Sequence, residues 1–501
     1  MSDAATERPT YGNWIPSRSP GLFGAGLAGT GVLFAAILAA LLTLLVAGPV
    51  PALAVAGLGV VGFTGVGTPV GSWLARRTLY GYAAAKGETT HRSGVLSRNT
   101  NPGSRLPGML GRTELLTAAD AFSEFVVLKS PGGLYTMVVR CSAEGPWMQD
   151  RDRVDGWVAN YSRFLAACGQ ETGLVAAKAI TDTAPDPGGR LPAMVAAMRR
   201  NSNPYLVAAD HQRPDLARQV MEETVADLPA AASDNTTYLE LTFRGRLLNR
   251  RGDERVILAE LSRKATGIVA AAQAAGGGHV ELLTAPDLAR LVRESYDPVT
   301  SAALEQAELD GDPEPLDWSD AGPVASRELW GELVHDSARS ITWEMHGAPR
   351  SKITENALTH LLVPHGDFAR KRVALIYRPH TADESTRVAE RDAATANFLA
   401  TQGKKRATAS AELVQKAAEQ SRQEVAEGAG SVRFSLMVTV TVRYDGDMAQ
   451  AVSTLEARGR AVPIRLRRCY GAQAAAFATT LPVGFLPWEH ALVTPSMREW
   501  L

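Results

Sequence analysis

Residues 21–75 decide the fold, and they read GLFGAGLAGTGVLFAAILAALLTLLVAGPVPALAVAGLGVVGFTGVGTPVGSWLA, without a charged side chain. The break at Pro49-Val50-Pro51 divides this stretch into two apolar runs. A helix needs about 20 apolar residues to cross the hydrocarbon of a bilayer, so each run is long enough to span it. Soluble core helices rarely go this far without a charge, and a signal peptide is shorter and is not followed by a second run. The pattern predicts a two-helix transmembrane hairpin over residues 21–75.

The basic residues on either side of the hairpin predict its orientation. Arg8 and Arg18 precede it, the connecting turn carries no charge, and five cations follow it: Arg76, Arg77, Lys86, Arg92 and Arg98. Because Lys and Arg stay on the cytoplasmic side, we expect a multi-pass protein of the inner (plasma) membrane with both termini in the cytoplasm. Trp14 and Trp73 fall where aromatic side chains meet lipid headgroups. Together with Arg76 and Arg77 they are the predicted membrane-flank residues.

Two glycine motifs inside the hairpin have the spelling of a dinucleotide-binding loop. Residues 24–29 and 57–62 both match G-x-G-x-x-G. Such a loop must follow a strand and be followed by an acidic residue about 20 positions later. Here each match lies within an apolar run, and the first acidic residue after either match is Glu88. The glycines are better explained as small residues that let two membrane helices approach each other.

Composition limits the remaining classes. The chain of 501 residues has 52 basic and 53 acidic side chains, a balance that gives no overall reason to expect a nucleic-acid-binding protein, although direct contact with nucleic acid stays open. Cys141, Cys168 and Cys469 are odd in number and far apart, which fits neither a disulfide framework nor a paired-cysteine zinc site. They are expected to be ordinary cytosolic thiols.

No phosphate-binding loop of the G-x-x-x-x-G-K-[ST] type occurs in the sequence. The nearest candidate, at Gly403, lacks the earlier glycine and the hydroxyl that would bind magnesium. We therefore expect no autonomous ATPase activity and no cofactor. Lys404, Lys405 and Arg406 form the sharpest basic cluster, which is interpreted either as a solvated bend in an exposed helix or as a contact for lipid, nucleic acid or a partner protein.

The rest of the chain is predicted to be α+β, with antiparallel sheets covered by helices. Residues 112–306 contain two related successions of strands and helices, which suggest ferredoxin-like units. The last third has another layout, with a long Ala-rich helical stretch over residues 381–428 that is interrupted at Gly403 and is expected to project from the body. The predicted regions are a lead-in (1–20), the hairpin (21–75), a basic juxtamembrane linker (76–111), an α+β domain (112–306), an acidic, proline-containing linker (307–324) and a second α+β region (325–501).

Candidate metal and catalytic residues are few. The acidic residues of 308–323 lack the ligand spacing of a calcium-binding EF-hand loop and are interpreted as a solvated linker. His360 and His365 are separated by Pro364 and lack the intervening glutamate of a zinc-binding helix. The group His335, Asp336, Glu344 and His346 could converge, and its members would be the candidates if the protein were a membrane-anchored enzyme.

Several motifs resemble a known family. They are PTYGNW at residues 9–14, DGWVANY at 155–161, GLVAA at 173–177, TAPD at 183–186 and QAAAFATTLP at 473–482. With these the chain resembles actinobacterial integral membrane proteins of conjugative elements and type IV-like secretion clusters. In that family a PrgI-like membrane hairpin is joined to a region similar to the amino-terminal, non-motor half of the conjugation secretion ATPase.

The resemblance implies a scaffold or docking subunit that works with a separate P-loop motor ATPase and with sister membrane subunits, as a homo- or hetero-oligomer. In the full ATPase the segment after the last helix leads into the motor, whereas only residues 483–501 follow here. The resemblance therefore implies no catalytic residue. A more distant likeness to EccE, a membrane subunit of type VII secretion, and the membrane-anchored enzyme remain the alternatives.

Overall fold

The computed structural model describes residues 26–67, 69–94, 104–120, 123–143, 145, 149–200, 215–231, 233–311, 316–347, 349, 353–402, 409–426 and 431–490. These residues form an α+β protein in which an apolar helix pair precedes one large antiparallel β-sheet that is covered by helices. The predicted fold class is confirmed at this level.

The apolar pair consists of α1 (Gly26–Ala47) and α2 (Pro49–Gly67), which pack along each other. The single residue between them, Gly48, has a φ of 89°, a conformation that glycine adopts readily. A Cβ atom at Gly59 would lie 2.2 Å from the Cβ of Ala36, so this glycine sets the distance between the two helices. The dinucleotide-like spelling at 57–62 is therefore part of a helix contact, as predicted.

The predicted juxtamembrane linker contains regular structure. Helix α3 (Pro69–Ala85) covers its first residues, and strand β1 (Thr90–Arg92) follows. A 3-10 turn, Gly108–Arg112, lies at its end, and Leu106 beside that turn is fully buried. The predicted basic juxtamembrane linker, residues 76–111, therefore contains a helix, a short strand and a 3-10 turn. The Gly- and Ser-rich composition of this segment does not predict the short strand or the buried leucine.

The two halves of the sheet region follow similar successions of elements, and α7 and α10 occur in the first half alone among the described residues. The first half contains β2 (Glu114–Ala119), β3 (Glu124–Ser130), β4 (Leu134–Ser142), α4 (Arg151–Gln170), β5 (Leu174–Pro185), α5 (Arg190–Arg200), α6 (Asp215–Ala231), β6 (Ser233–Arg244), α7 (Gly245–Leu248), α8 (Glu254–Ala272), β7 (His279–Leu282), α9 (Ala285–Tyr296) and α10 (Thr300–Leu309). The second half contains β8 (Ala325–Glu328), β9 (Leu333–His335), β10 (Ala338–Met345), α11 (Thr359–Leu362), β11 (Arg370–Pro379), α12 (Ala382–Gln402), α13 (Ala409–Ala426), β12 (Val432–Arg443), α14 (Met448–Arg460), β13 (Leu466–Arg468) and α15 (Gln473–Thr479).

Among the described residues the two halves join in one 13-stranded sheet, and its strand order is palindromic from β8 to β2. The order runs β1-β8-β9-β10-β12-β11-β5-β6-β4-β3-β2, with β13 on β10 and β7 on β4. The spatial order of four strands is therefore β7-β4-β6-β5 in the first half and β13-β10-β12-β11 in the second. The seam between the halves is the antiparallel pair β5–β11, in which Ala177 faces Tyr377 and Thr183 faces Lys371.

This duplication corrects the predicted organisation. The two related successions predicted within 112–306 together form one half, and the last third, predicted to differ, forms the other. Strands β8 to β10 were missed. The regions predicted on either side of residues 307–324 also share one sheet, because β5 pairs with β11 across that boundary.

The helical stretch predicted over 381–428 consists of two helices that pack together. Ala393 and Ala396 of α12 pack against Ala418 of α13, and the amide of Gln415 donates to the side chain of Asn397 over 2.9 Å. Small side chains let these helices lie close together. The predicted interruption at Gly403 lies outside the described residues.

The segment predicted to be a solvated acidic linker is partly packed. The indole of Trp318 is buried, and its Nε1 donates to the hydroxyl of Thr113 over 3.0 Å. Gly322 lies directly against the backbone of Arg105, where a Cβ atom would meet a carbonyl carbon at 2.3 Å. Residues 316–322 therefore belong to the body of the protein.

The sheet has two differently packed faces. One face carries two apolar clusters, each confined to one half: α8 covers the first and α14 the second. The main cluster on the other face includes residues of both halves, among them Ile180, Ala374 and Phe477. It is covered by α9, α15 and the chain at 481–490. We call this second face the shared face.

Candidate functional site

The predicted membrane-flank residues that the structure describes lie on α3. Trp73 is about half exposed, and the guanidinium of Arg77 lies 4.8 Å from the ring centroid of Trp330 in the second half. The ring of Tyr80 meets the same indole edge-on with centroids 5.4 Å apart, and its hydroxyl donates to the carbonyl of Glu328 over 3.2 Å. Helix α3 is therefore docked on the sheet body. Trp14, Lys404, Lys405 and Arg406 lie outside the described residues.

Trp330 is held in turn by the loop after β13. Its ring stacks on Tyr470 with centroids 5.9 Å apart, and its carbonyl accepts a hydrogen bond of 2.8 Å from the amide of Gly471. A Cβ atom at Gly471 would lie 2.6 Å from the indole, and the φ of 74° at this residue also favours glycine. The side chain of Arg468 completes the support by donating to the carbonyl of Gly331 over 2.7 Å. Arg77, Tyr80, Trp330 and Tyr470 form what we call the anchor junction.

The enzyme candidates do not converge. His335 pairs with Ala338 at the start of β10, whereas Glu344 lies six residues further along that strand, roughly 20 Å away at about 3.4 Å per residue. Glu344 forms an ion pair with Arg467 at the surface. Asp336 pairs instead with Arg293 and accepts backbone hydrogen bonds from Val324 and Ala325.

His335 itself is fully engaged in the core. Its Nδ1 lies within hydrogen-bond distance of the carbonyl of Tyr296, and its Nε2 lies 2.7 Å from the hydroxyl of Ser340. Burial lowers the pKa of this imidazole to about 4, so the ring is neutral at pH 7. The ring is therefore a structural hydrogen-bonding bridge between α9 and β10.

A buried ion pair crosses the shared face of the first half. The Nζ of Lys178 lies 2.9 Å from a carboxylate oxygen of Glu240 on the neighbouring strand, and both side chains are almost completely buried. Lys178 also donates to the carbonyl of Phe485 over 2.9 Å, while the other carboxylate oxygen of Glu240 accepts from the amide of Gly484 over 3.0 Å. The pair therefore holds the C-terminal segment of the described chain on the first half.

A second buried ion pair crosses the seam. Arg370 of β11 donates from Nε and Nη2 to the carboxylate of Asp182 on β5 over 3.0 and 2.7 Å. Burial by itself would lower the pKa of Arg370, but the charges of Asp182 and Glu294 raise it above its ordinary value. A bidentate arginine–carboxylate pair fixes geometry as well as charge, so this contact sets the register of the two halves.

Arg372, two residues further along β11, is buried without a carboxylate partner. Its guanidinium lies 4.5 Å from the ring centroid of Phe477, and its Nε lies 3.4 Å from the hydroxyl of Thr480. Neither Nη1 nor Nη2 has a hydrogen-bond partner among the described residues. Burial lowers the pKa of Arg372 to about 10, so the side chain stays charged at pH 7.

The remaining candidates are isolated. His365 is near the carboxylate of Asp367, whereas His360 lies on α11. In the part of the chain that the structure describes, no group of three His, Cys, Asp or Glu side chains is arranged to hold a metal ion. The thiols of Cys141, Cys168 and Cys469 are buried, which raises their pKa values to about 11, 12 and 12.

Sequence reasoning missed Trp330 and the buried charges of the shared face. A signal for the charges existed: Lys178 and Glu240 are single charged residues in the middle of otherwise apolar strands, LVAAKAI and YLELTF. A strand that is buried on both faces has no solvent side for such a residue, so its charge requires a partner.

The comparisons with known proteins concern the helix pair. Residues 18–68 match a family described as a domain of unknown function, DUF8461. The match includes all of α1 and all of α2 and covers about a tenth of the chain. The sequence matches no curated protein.

Proposed function

We propose that this protein is a non-enzymatic, membrane-anchored docking subunit of a conjugative, type IV-like secretion apparatus that works with a separate motor ATPase. The observation that carries the proposal is the continuous connection from an apolar helix to a large folded body. Residues 30–47 of α1 are long and apolar enough to cross a membrane, and none of this segment is buried inside the protein. Helix α3, which follows the helix pair, is docked on the body at Trp330.

In this proposal α1 and α2 both cross the membrane and both termini are cytoplasmic. Helices of 22 and 19 residues are about 33 and 28 Å long at 1.5 Å per residue, close to the thickness of bilayer hydrocarbon. Arg76 and Arg77 follow on α3, where cations are retained on the cytoplasmic side. The anchor junction would then transmit force or position between the membrane segment and the sheet.

The architecture of the body supports docking rather than catalysis. The strand orders β7-β4-β6-β5 and β13-β10-β12-β11 support the proposal that both halves are ferredoxin-like, with additional helices between the two middle strands. The buried charges Lys178, Glu240, Asp182 and Arg370 bind one another and the backbone, which suits a rigid platform. The paired helices α12 and α13 extend the second half between β11 and β12 and are the proposed contact for the motor ATPase.

Co-purification of the full-length chain from membranes in mild detergent tests the proposal. We expect a P-loop ATPase encoded near this gene to accompany it. Trp330→Ala should loosen the membrane segment from the body and reduce recovery of the complex, whereas Tyr444→Ala, at an exposed position, is the matched control. Recovery of the wild-type chain as an isolated monomer, without such a partner, contradicts the proposal.

Membrane topology is a separate test. In sealed inside-out vesicles, tags on both termini should be accessible to protease, while a tag inserted at Gly48 should be protected. A chain that is released from membranes by alkaline carbonate would contradict the anchor. Protection of one terminus with exposure of the other would contradict the two-span topology and leave a single span.

A further inference from the structure

Strand β2 is one edge of the sheet and has no neighbouring strand on its outer side among the described residues. Its register with β3 tells which backbone groups face outward. The amide of Asp120 donates to the carbonyl of Ser123 over 3.0 Å, so this facing pair is hydrogen-bonded. In an antiparallel ladder such pairs alternate, and the strand continues with Ala119 opposite Glu124 and Ala118 opposite Phe125. The amides and carbonyls of Leu115, Thr117 and Ala119 therefore point away from the sheet.

In the second half the corresponding edge strand is covered by another strand. In the palindromic order β8 occupies the position of β2, and its outer side is covered by β1, with His91 facing Ser326. Strand β1, which follows α3, is the one strand among the described residues that lies outside the two halves, and it is used there. In the part of the chain that the structure describes, no strand covers the corresponding edge in the first half.

The open edge lacks three of the usual protections against pairing. Exposed edge strands are normally blocked by lysine, proline or a bulge. The stretch from Thr113 to Ala119 contains no lysine and no proline, its pairing with β3 is regular, and Glu114 is its only charge. The edge is therefore chemically suited to accept another strand.

We propose that β2 pairs with β2 of a second copy of this chain, antiparallel about a two-fold axis at Leu116. In this register Leu115 faces Thr117 of the partner, so the outward amides and carbonyls of both residues pair. Arg112, the last residue of the 3-10 turn before β2, then lies at the same end of the paired strands as Asp120 of the partner, which follows β2, and this occurs twice per dimer. A register centred on Thr117 would place Glu114 opposite Asp120, so like charges exclude it. The charges at the two ends of the strand thus favour a second copy in one register, and the inference does not depend on the proposed function.

Thr117→Pro tests the pairing in full-length protein in detergent. Proline removes an outward amide that β3 does not use, and an edge strand tolerates it. Thr117→Val keeps the amide and is the matched control. Light scattering that resolves protein from detergent mass should give a dimer, or a multiple of it, for the wild type and for Thr117→Val, and half that mass for Thr117→Pro. Equal mass for both variants with unchanged circular dichroism overturns the proposal.

The register is tested through the charge pair. Arg112→Glu should weaken the dimer roughly tenfold or more, because each opposed pair becomes repulsive, while Arg112→Lys should have little effect. Equal dissociation constants for the two variants would overturn this register.

Crosslinking in native membranes avoids detergent. The three native cysteines are buried, so Leu116→Cys can be followed alone. Its two copies would face each other across the axis, and oxidation should give a disulfide-linked dimer, whereas Leu247→Cys, at an exposed position on α7, should not. No excess of crosslinking at position 116 overturns the proposal. A wild-type chain that is monomeric and binds a different protein through this edge would also overturn the proposal.

Discussion

The two faces of the sheet use the same strands and are packed in opposite ways. On one face, side chains such as Leu241 and Val438 pack under helices of their own half, within clusters that never cross the seam. On the shared face, the same strands carry Lys178, Asp182 and Arg370, and the covering segments cross from half to half. The first face folds each half, and the second face joins the halves.

Three consecutive basic residues of β11 differ in their partners and pKa values according to the face of the sheet on which they lie. Arg370 and Arg372 point to the shared face. Lys371 points to the opposite face, which carries the two clusters that are each confined to one half and is called the apolar face. There its Nζ donates to the carbonyls of Leu362 and Val363 over 3.1 and 2.6 Å. A carboxylate raises the pKa of Arg370, whereas burial lowers those of Lys371, to about 7, and of Arg372, to about 10. Similar side chains thus differ because their partners differ.

Removing one partner of a charge pair on the shared face should have the largest effect. Lys178→Met leaves the carboxylate of Glu240 buried beside an apolar group, and such a change typically costs about 3–5 kcal/mol of unfolding free energy. The double variant Lys178→Met/Glu240→Leu should recover most of this loss. Denaturant titration of the full-length protein in detergent measures both. A single variant as stable as the wild type would mean that the pair is not buried.

Truncation of a side chain on the apolar face should have the next largest effect on stability. Leu241→Ala, at a fully packed position of β6, should cost about 2–5 kcal/mol through lost burial and the cavity that remains. The corresponding change in the second half, Val438→Ala, removes fewer atoms and should cost less. Because each cluster lies within one half, hydrogen exchange should increase first in the half that carries the substitution. Equal effects on both halves would contradict the separation of the two clusters.

Lys371 should make stability depend on pH. Its pKa is about 7 in the folded protein and 10.5 in an unfolded chain, so between these values the unfolded state binds more protons. Stability should therefore rise as the pH increases above about 7, by about 1.4 kcal/mol per unit. Denaturant midpoints of the wild type and of Lys371→Met, compared at pH 7 and 9, isolate this contribution. Parallel profiles would show that Lys371 is hydrated.

Arg372 should give the smallest change on the shared face. Its terminal nitrogens are buried and have no hydrogen-bond partner among the described residues, so Arg372→Met removes a charge that no hydrogen bond to these nitrogens compensates, instead of leaving one behind. We expect a change within about 1 kcal/mol of the wild type, in either direction. Arg370→Met, two residues away, is the comparison. It leaves the buried carboxylate of Asp182 without its arginine partner and should be strongly destabilising. A large loss for Arg372→Met would indicate a partner such as bound water.

Much of the candidate site could not be read from the sequence. Arg76 and Arg77 were identified because charge returns abruptly after an apolar run, but Trp330, against which Arg77 lies, is more than 250 residues away and has no local signature. The sequence left open whether His335 and Glu344 converge. In the structure they do not, because His335 pairs with the start of β10 and Glu344 lies near the end of that strand.

By itself the sequence determined the apolar helix pair, whose uncharged runs extend over residues 21–75, and most strands and helices of the body. These features depend on periodicities of two and 3.6 residues, which are local. Only the tertiary structure decided that β5 pairs with β11, that the last third repeats the first half, and that Lys178 meets Glu240. Backbone hydrogen bonds are the same for every strand, so local pattern does not select a neighbour. That choice depends on how side chains distant in sequence pack and pair.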